Sequence, residues 1–329
     1  MLTPAPTFAS LWTDYRCPDV VYDEARAPDG QLRQHWRSLV EDLRELAPAD
    51  FVRRTAEAEK LLRDNGVTFD VFREGHEQQR PWQLDLIPLI VDAADWRSLR
   101  EGVDQRARLL NAIVQDLHGP RRLLTNGWLP AEVLFEHAGF QRPFVDLHAT
   151  HSPSLTLYGT ELARLPDGAW RVIADRTEAP IGAGFALENR IVASRTIPRL
   201  LHRGAIQRLA PFFMRLQQTL AELASRRTDN PRIVLLSTGP TSAYYFEDVF
   251  LSGYLGYMLV QGTDLAVRDE RVYLKTLAGL MPVDVILSRS PERGLDPLEL
   301  GGGAPNGTPG LLQAVRRGNV ALANTPGCG

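Results

Sequence analysis

Apolar residues at helical spacing dominate the first third of the chain. Trp36, Leu39, Val40, Leu43 and Leu46 keep helical spacing, as do Phe51, Thr55, Ala58 and Leu62, which run into "RDNG" with Gly66 as a stop. Ahead of them, residues 1–30 are rich in Pro and Asp, keep no period and read as an extended lead-in. "VTFDVF" (67–72) alternates like a strand. The most regular helix is expected between Asp95, a good N-cap, and Gly119, burying a face of Trp96, Leu99, Val103, Ala107, Leu110, Ile113 and Leu117. "PAEVLFEHAG" adds a short helix, which gives a mostly helical region over 31–143.

Near residue 144 the pattern changes to short β-like runs: "FVDLHA", "SLTLYGTELARL" and "WRVIAD". A long helical region follows from about 186 to 226, broken near Pro198 and Gly204, with Leu209, Phe212, Phe213, Leu216, Leu220 and Leu223 on one stripe. "RTDNP" reads as a linker. Beyond it come strand "RIVLLS", helix "SAYYFEDVFLSGYLG", strand "YMLVQ", hairpin "DLAVRDERVYLKT", strand "VDVILSR", a Gly/Pro loop, helix "GLLQAVRRG" and strand "VALAN". Strands alternating with helices predict an open, mostly parallel α/β sheet over 228–329.

Composition narrows the classes. The 329 residues suffice for two or three domains, and a formal net charge of -3 gives no drive toward nucleic acid or anionic membrane. No apolar run reaches the ~20 residues of a membrane span, and the N-terminus lacks a signal-like pattern. Cys17 and Cys328 form neither a metal spacing nor a disulfide framework, so a cytoplasmic location is expected. Of 37 basic residues only Lys60 and Lys275 are lysines.

The candidate chemistry lies in "ELARLPDGAWRVIADRTEAPIGAG". Leu165-Pro166-Asp167-Gly168 suits a type I turn with Gly in the left-handed conformation. A three-residue loop makes Leu165 face Ala169 and sets Glu161 opposite Ile173. Glu161 and Asp175 then share a face as diagonal neighbours, roughly 7–8 Å apart at the backbone. Thr177 joins them if the strand continues, while Arg176 points the other way, as a surface charge or a phosphate contact. Two carboxylates and a hydroxyl suit a hard cation such as Mg²⁺. An acid on each strand of an exposed hairpin is also commonplace, and a one-residue slip would separate them. Gly182 and Gly184 in "PIGAG" permit close backbone approach to a ligand, or simply a flexible connection. They match neither a dinucleotide fingerprint nor a phosphate loop, which removes a nicotinamide-dependent oxidoreductase.

An acid, a turn, and about fourteen residues later an acid-x-polar pair followed by Pro or Gly resembles the metal hairpin of ATP-grasp ligases. There the last two ligands usually read Glu-x-Asn, where this chain has Asp175-Arg176-Thr177. "RPWQLDLIPLIV", "RARLLNAIVQDLHGPRRLL", "ADRTEAPIGAGFALENR", "RLAPFF" and "VYLKTLAGLMPVDVILSR" are together similar to the circularly permuted ATP-grasp family, type 2, whose relatives include glutathionylspermidine synthetase-like ligases. The resemblance implies an α/β fold with a helical N-terminal region, a partial ATP-grasp module with the metal hairpin (144–227) and an open, pre-ATP-grasp-like α/β domain. It implies Mg²⁺ and ATP as cofactors, and activation of a carboxylate as an acyl phosphate that an amine-type nucleophile captures. Small-molecule or peptide substrates follow, without nucleic acid or membrane partners. Glu161 and Asp175 become metal ligands with Thr177 a weaker third. Glu188 and Asn189 of "ALENR" become second-tier ligands, and Arg176 and Arg190 clamps for phosphate or carboxylate. Helix-start polarity explains Glu188, Asn189 and Arg190 equally well.

In the family, lysines on a further lobe hold the nucleotide phosphates, and this chain ends at "ALANTPGCG". Neither Lys60 nor Lys275 is an obvious phosphate ligand. The expectation is therefore a truncated N-terminal part, inactive by itself, with a non-catalytic binding or scaffolding protein as the alternative. Elsewhere, His148 and His151 of "HATH" read as surface histidines. Ser237, Thr238 and Gly239 occupy a strand-to-helix turn that is either a substrate-side surface or a helix cap by Thr241 or Ser242. Tyr244, Tyr245 and Phe246 read as pocket or core, and Arg142 as a possible anion contact.

Overall fold

The computed structural model describes residues 15–18, 20–73, 76–145, 147, 153–199, 206–224, 229–301 and 306–329. In chain order the elements are α1 (Gln34–Glu45), α2 (Pro48–Asp64), β1 (Thr68–Arg73), β2 (His76–Pro81), α3 (Ala93–Leu117), α4 (Arg122–Thr125) and α5 (Ala131–Phe135). A hairpin of β3 (Gly159–Arg164) and β4 (Trp170–Arg176) leads to α6 (Ala183–Thr196) and α7 (Ala210–Glu222). The remainder is β5 (Ile233–Leu236), α8 (Tyr245–Leu255), β6 (Met258–Val260), β7 (Leu265–Arg268), β8 (Arg271–Thr276), β9 (Gly279–Pro282), β10 (Val285–Ser288), α9 (Leu311–Arg316) and β11 (Ala321–Ala323). The chain is a mixed α/β protein. It divides into two units: 1–101 with 162–173 and 185–208, and 102–161 with 174–184 and 209–329.

In the first unit Trp36, Leu39 and Leu43 of α1 bury their stripe with Ala25, and Phe51, Ile87 and Ile90 pack against them. Helix α2 starts on Pro48, whose missing N–H costs nothing in the first turn. β1 and β2 pair antiparallel from Thr68↔Pro81 to Arg73↔His76. Helix α3 departs from its sequence reading in two ways. Asp92, not Asp95, caps it, with Oδ1 accepting the N–H groups of Ala94 at 2.6 Å and Asp95 at 3.0 Å. These bonds hold the Asp92 carboxyl below its ordinary range. The stripe is also only partly covered: Leu99 through Leu117 are half-buried, and Trp96 is exposed.

The second unit is built on a four-stranded sheet of order β11-β10-β5-β6, parallel at each pairing. β5, β10 and β11 are buried at every position, as strands covered on both faces must be. Val234, Leu236, Ile286 and Leu322 share a core with Leu311, Leu312 and Val315 of α9, each contributing roughly 1.5–3 kcal/mol by leaving water. The expected hairpin after β6 gains a third strand, because β8 pairs antiparallel with β9 as well as β7. "FVDLHA" begins in a 3-10 turn over Arg142–Phe144 rather than a strand. Among the described residues, no helix is long and apolar enough to cross a membrane.

Candidate active site

The hairpin turn forms as its residues require. Gly168 N–H bonds the Leu165 carbonyl at 2.8 Å, Leu165 N–H bonds Ala169 at 2.9 Å, and Gly168 takes φ 86°. Thr160 Oγ1 donates to the Ala174 carbonyl at 3.1 Å, in keeping with that register. The two hairpin acids then take different partners. Asp175 receives a bidentate fork from Arg106 of α3, Nε at 2.7 Å and Nη2 at 2.6 Å, and a further bond from the Tyr158 hydroxyl. The guanidinium holds the Asp175 carboxyl below its usual range, with Tyr158 adding to the effect. Burial, and then the bond to Asp175, raise the Tyr158 hydroxyl. Glu161 accepts from Arg176, Nε at 2.9 Å and Nη2 closer still. Arg176 thus does not turn away from Glu161 as strand alternation implied. A Cβ on Gly159, which shares a strand face with Glu161, would lie 3.6 Å from Arg176 Cβ. At the end of β4 it is therefore Arg176, and not Asp175 as expected, that stands on the Glu161 face, while Asp175 turns to Arg106 and Tyr158. That pair is exposed on both sides and stabilises little.

Thr177 stands beside this group through its carbonyl, which accepts Asn324 Nδ2 at 2.6 Å. The same amide accepts the N–H groups of Thr156 and Leu157 and donates to the Leu157 carbonyl, so one side chain ties both entry and exit of the hairpin to the end of β11. Gly182 and Gly184 each donate N–H at 2.8 Å to Oε1 of Glu247 on α8. A Cβ on Gly184 would lie 2.7 Å from Glu247 Cγ, so only glycine allows this approach. Glu247 Oε2 in turn pairs with Arg289 Nη2 at 2.7 Å. Arg289 bonds Asp248 Oδ1 at 3.0 Å and the Pro180 carbonyl, and Ser237 Oγ closes the group on Asp248 Oδ2 at 2.6 Å. Burial raises the Asp248 carboxyl, with Arg289 and Ser237 pulling the other way. This buried network seats the loop that leaves β4 on the carboxyl ends of β5 and β10.

The "ALENR" candidates fall in the first unit. Glu188 is buried and accepts Asn65 Nδ2 at 2.6 Å, while Asn189 Oδ1 accepts Trp82 Nε1 at 2.8 Å. Arg190 Nη1 reaches the Gln207 carbonyl at 3.4 Å. Lys60 is an exposed partner of Asp64, and Lys275 donates to the Thr263 carbonyl at 2.8 Å. Ser242 Oγ accepts the Tyr244 N–H, and Tyr244, Tyr245 and Phe246 are half-buried. Arg142 is exposed. His148 and His151 lie outside the described residues. Sequence reasoning missed Arg106, Glu247, Asp248 and Arg289. Two acids inside the apolar helix text "YYFEDVFLSG" were the available signal, since buried acids demand a cation.

Comparison with known proteins bears on the same region. The sequence model of the family "circularly permuted ATP-grasp type 2" matches residues 88–329. An uncharacterised protein of Mycobacterium tuberculosis is 37% identical over 320 residues, 95% of this chain and 36% of that protein. A Synechocystis protein is 33% identical over 312 residues, 95% of this chain and 65% of its own. A second M. tuberculosis protein is 31% identical over 325 residues, covering 97% and 58%. The chain thus spans between about a third and two thirds of these relatives. A glutathione synthetase-like effector from Globodera pallida superposes with a TM-score of 0.43 at 16% identity, over 82% of this chain and 64% of that one. On the match over 88–329, the chain belongs to the circularly permuted ATP-grasp type 2 family.

Proposed function

We propose that these residues form part of a Mg-ATP-dependent carboxylate–amine ligase, with Glu161 and Asp175 as the metal-binding carboxylates and Thr177 beside them. Family membership supports the reaction class. The observation that carries the site is the placement of two partly exposed carboxylates on adjacent strands of one hairpin, each neutralised by a single guanidinium. Carboxylate oxygens suit a hard divalent cation, which keeps further positions for phosphate, although among the described residues no group of three or more acids, histidines or cysteines gathers to hold one. Bound there, the ion would neutralise phosphate charge during transfer. The chain's own residues do the rest. Arg106 and Tyr158 hold Asp175 in one orientation. Arg176, released from Glu161, becomes a cation for phosphate or carboxylate. Glu247 and Arg289 hold the Gly182–Gly184 loop, so those two N–H groups serve to seat the loop and are not offered to a ligand. Turnover is proposed for the protein that carries these residues.

A binding role without turnover is favoured by one observation. Both acids already have cationic partners, which a divalent ion must displace. Mg²⁺-dependent ADP release with panels of acids and amines separates the two readings. Asp175→Asn should abolish release and Lys60→Ala should leave it intact; release unaffected by Asp175→Asn would sink the site assignment.

A further inference from the structure

In the sheet β11-β10-β5-β6 the chain leaves β5 toward β6 on one side, then returns to lay β10 on the other. At such a reversal the loops leaving the two strands diverge, and a crevice opens at their carboxyl ends. Here β5 runs out into Ser237 and Thr238 and β10 into Arg289 and Ser290. A cavity of about 880 Å³ opens beside them, within the range of small-ligand sites.

Its lining is chemically specific. Arg293 donates Nη2 to the Ala138 carbonyl at 2.7 Å, and its other guanidinium nitrogens have no partner among the described residues. Thr238 and Ser290 line the cavity half-buried, and their hydroxyls are likewise unpartnered among the described residues. Glu136 brings one carboxylate with no ion pair among those residues. Phe135 and Phe140, edge to face at 5.2 Å, supply an apolar wall.

A polyphosphate is a poor occupant. The turn after β5 has already given its Gly239 N–H to Ser237 Oγ at 3.0 Å. Two acids, Glu247 and Asp248, occupy the first turn of α8, where a phosphate would seek positive potential. One guanidinium with two hydroxyls and one acid, set beside His137, Gln141, Asn306 and an aromatic wall, instead complement a molecule with a single carboxylate, an ammonium and an apolar body. We propose that this cavity binds a free amino acid or short peptide, its carboxylate on Arg293 with Thr238 and Ser290, and its ammonium toward Glu136. That such a zwitterion is a coupling partner rests on the ligase reading; that it binds does not.

The test is ligand-induced thermal shift, followed by calorimetry, with the free amino acids and the dipeptides Gly-Leu, Leu-Gly and Ala-Phe. The C-terminal amides, inorganic phosphate and Mg-ATP serve as comparison probes. At least one zwitterion should bind, and its amide, like the Arg293→Met variant, should bind about tenfold or more weakly, as loss of a charge-assisted hydrogen bond implies. Because Arg293 also braces Ala138, Ser290→Ala together with Thr238→Val provides a second variant, expected to weaken binding without lowering the melting temperature. No binding across the panel, or equal binding of acid and amide, overturns the proposal. So does retention of affinity in both variants. Binding without nucleotide-dependent turnover would count against the ligase reading alone, and turnover indifferent to both variants against this cavity alone.

Discussion

Arg289 and Glu247 form a salt bridge at 2.7 Å with side chains only 3% and 0% exposed. Around it, one guanidinium serves two carboxylates and a carbonyl, and Glu247 passes the restraint to Gly182 and Gly184. The pair is therefore the joint between the sheet and the loop leaving the hairpin. Arg289→Met leaves two buried acids without their cation and should cost about 3–5 kcal/mol. Glu247→Gln should cost less, because a neutral amide can still accept the two glycine N–H groups. Chemical denaturation of both variants checks the order; equal small losses would show that the network is not structural.

Gly184 and Gly253 make a contrast between two helical glycines. A Cβ at Gly184 meets Glu247 Cγ at 2.7 Å, whereas nothing lies within 4 Å of one at Gly253. Gly184→Ala should destabilise by about 1–3 kcal/mol through overpacking. Gly253→Ala should stabilise by up to about 1 kcal/mol, because alanine restricts the unfolded chain and favours the helix. Thermal unfolding of the two variants should therefore move in opposite directions.

Asp175 tests the hairpin acid electrostatically. Its folded carboxyl titrates below the unfolded value of 3.8, chiefly because of Arg106. What the pair adds to stability is thus complete above 3.8 and is lost as pH falls through the lower folded value. Arg106→Gln should raise the Asp175 carboxyl, as followed by carbon NMR. An unmoved carboxyl would mean that Arg106 is not the cause.

Glu292 predicts the opposite pH behaviour. Burial pushes it from 4.5 up to about 7, although the N–H groups of Gly327 and Cys328 bond its carboxylate. Between those two values the folded chain binds the proton that the unfolded chain has released. Stability should therefore fall as pH rises through that window, by on the order of 3 kcal/mol if the group acts alone. Glu292→Gln cannot titrate and should flatten the slope between pH 4.5 and 7 in denaturation measured across that range.

How far the sequence alone reached varies along the chain. The strands at 233–236, 258–260, 285–288 and 321–323 and the helices between them were legible because each strand is a short apolar run bounded by turn residues. Pro166-Asp167-Gly168 likewise specified its own turn, which is local chemistry. Helix α3 was legible as a helix but not in its burial, because an apolar stripe states a preference and only neighbouring elements can cover it.

Text alone could not assign charges to partners. Asp175 takes Arg106, 69 positions away, and Glu247 takes Arg289, 42 positions away. Nor could it order the strands: β10 lies beside β5 rather than β6, and that choice opens the cavity at their carboxyl ends. Periodicity and turn propensity act over a few residues, so the sequence by itself determined the elements and their family. Strand order and ion pairing are set by which distant segments exclude water together, and that only the tertiary structure decided.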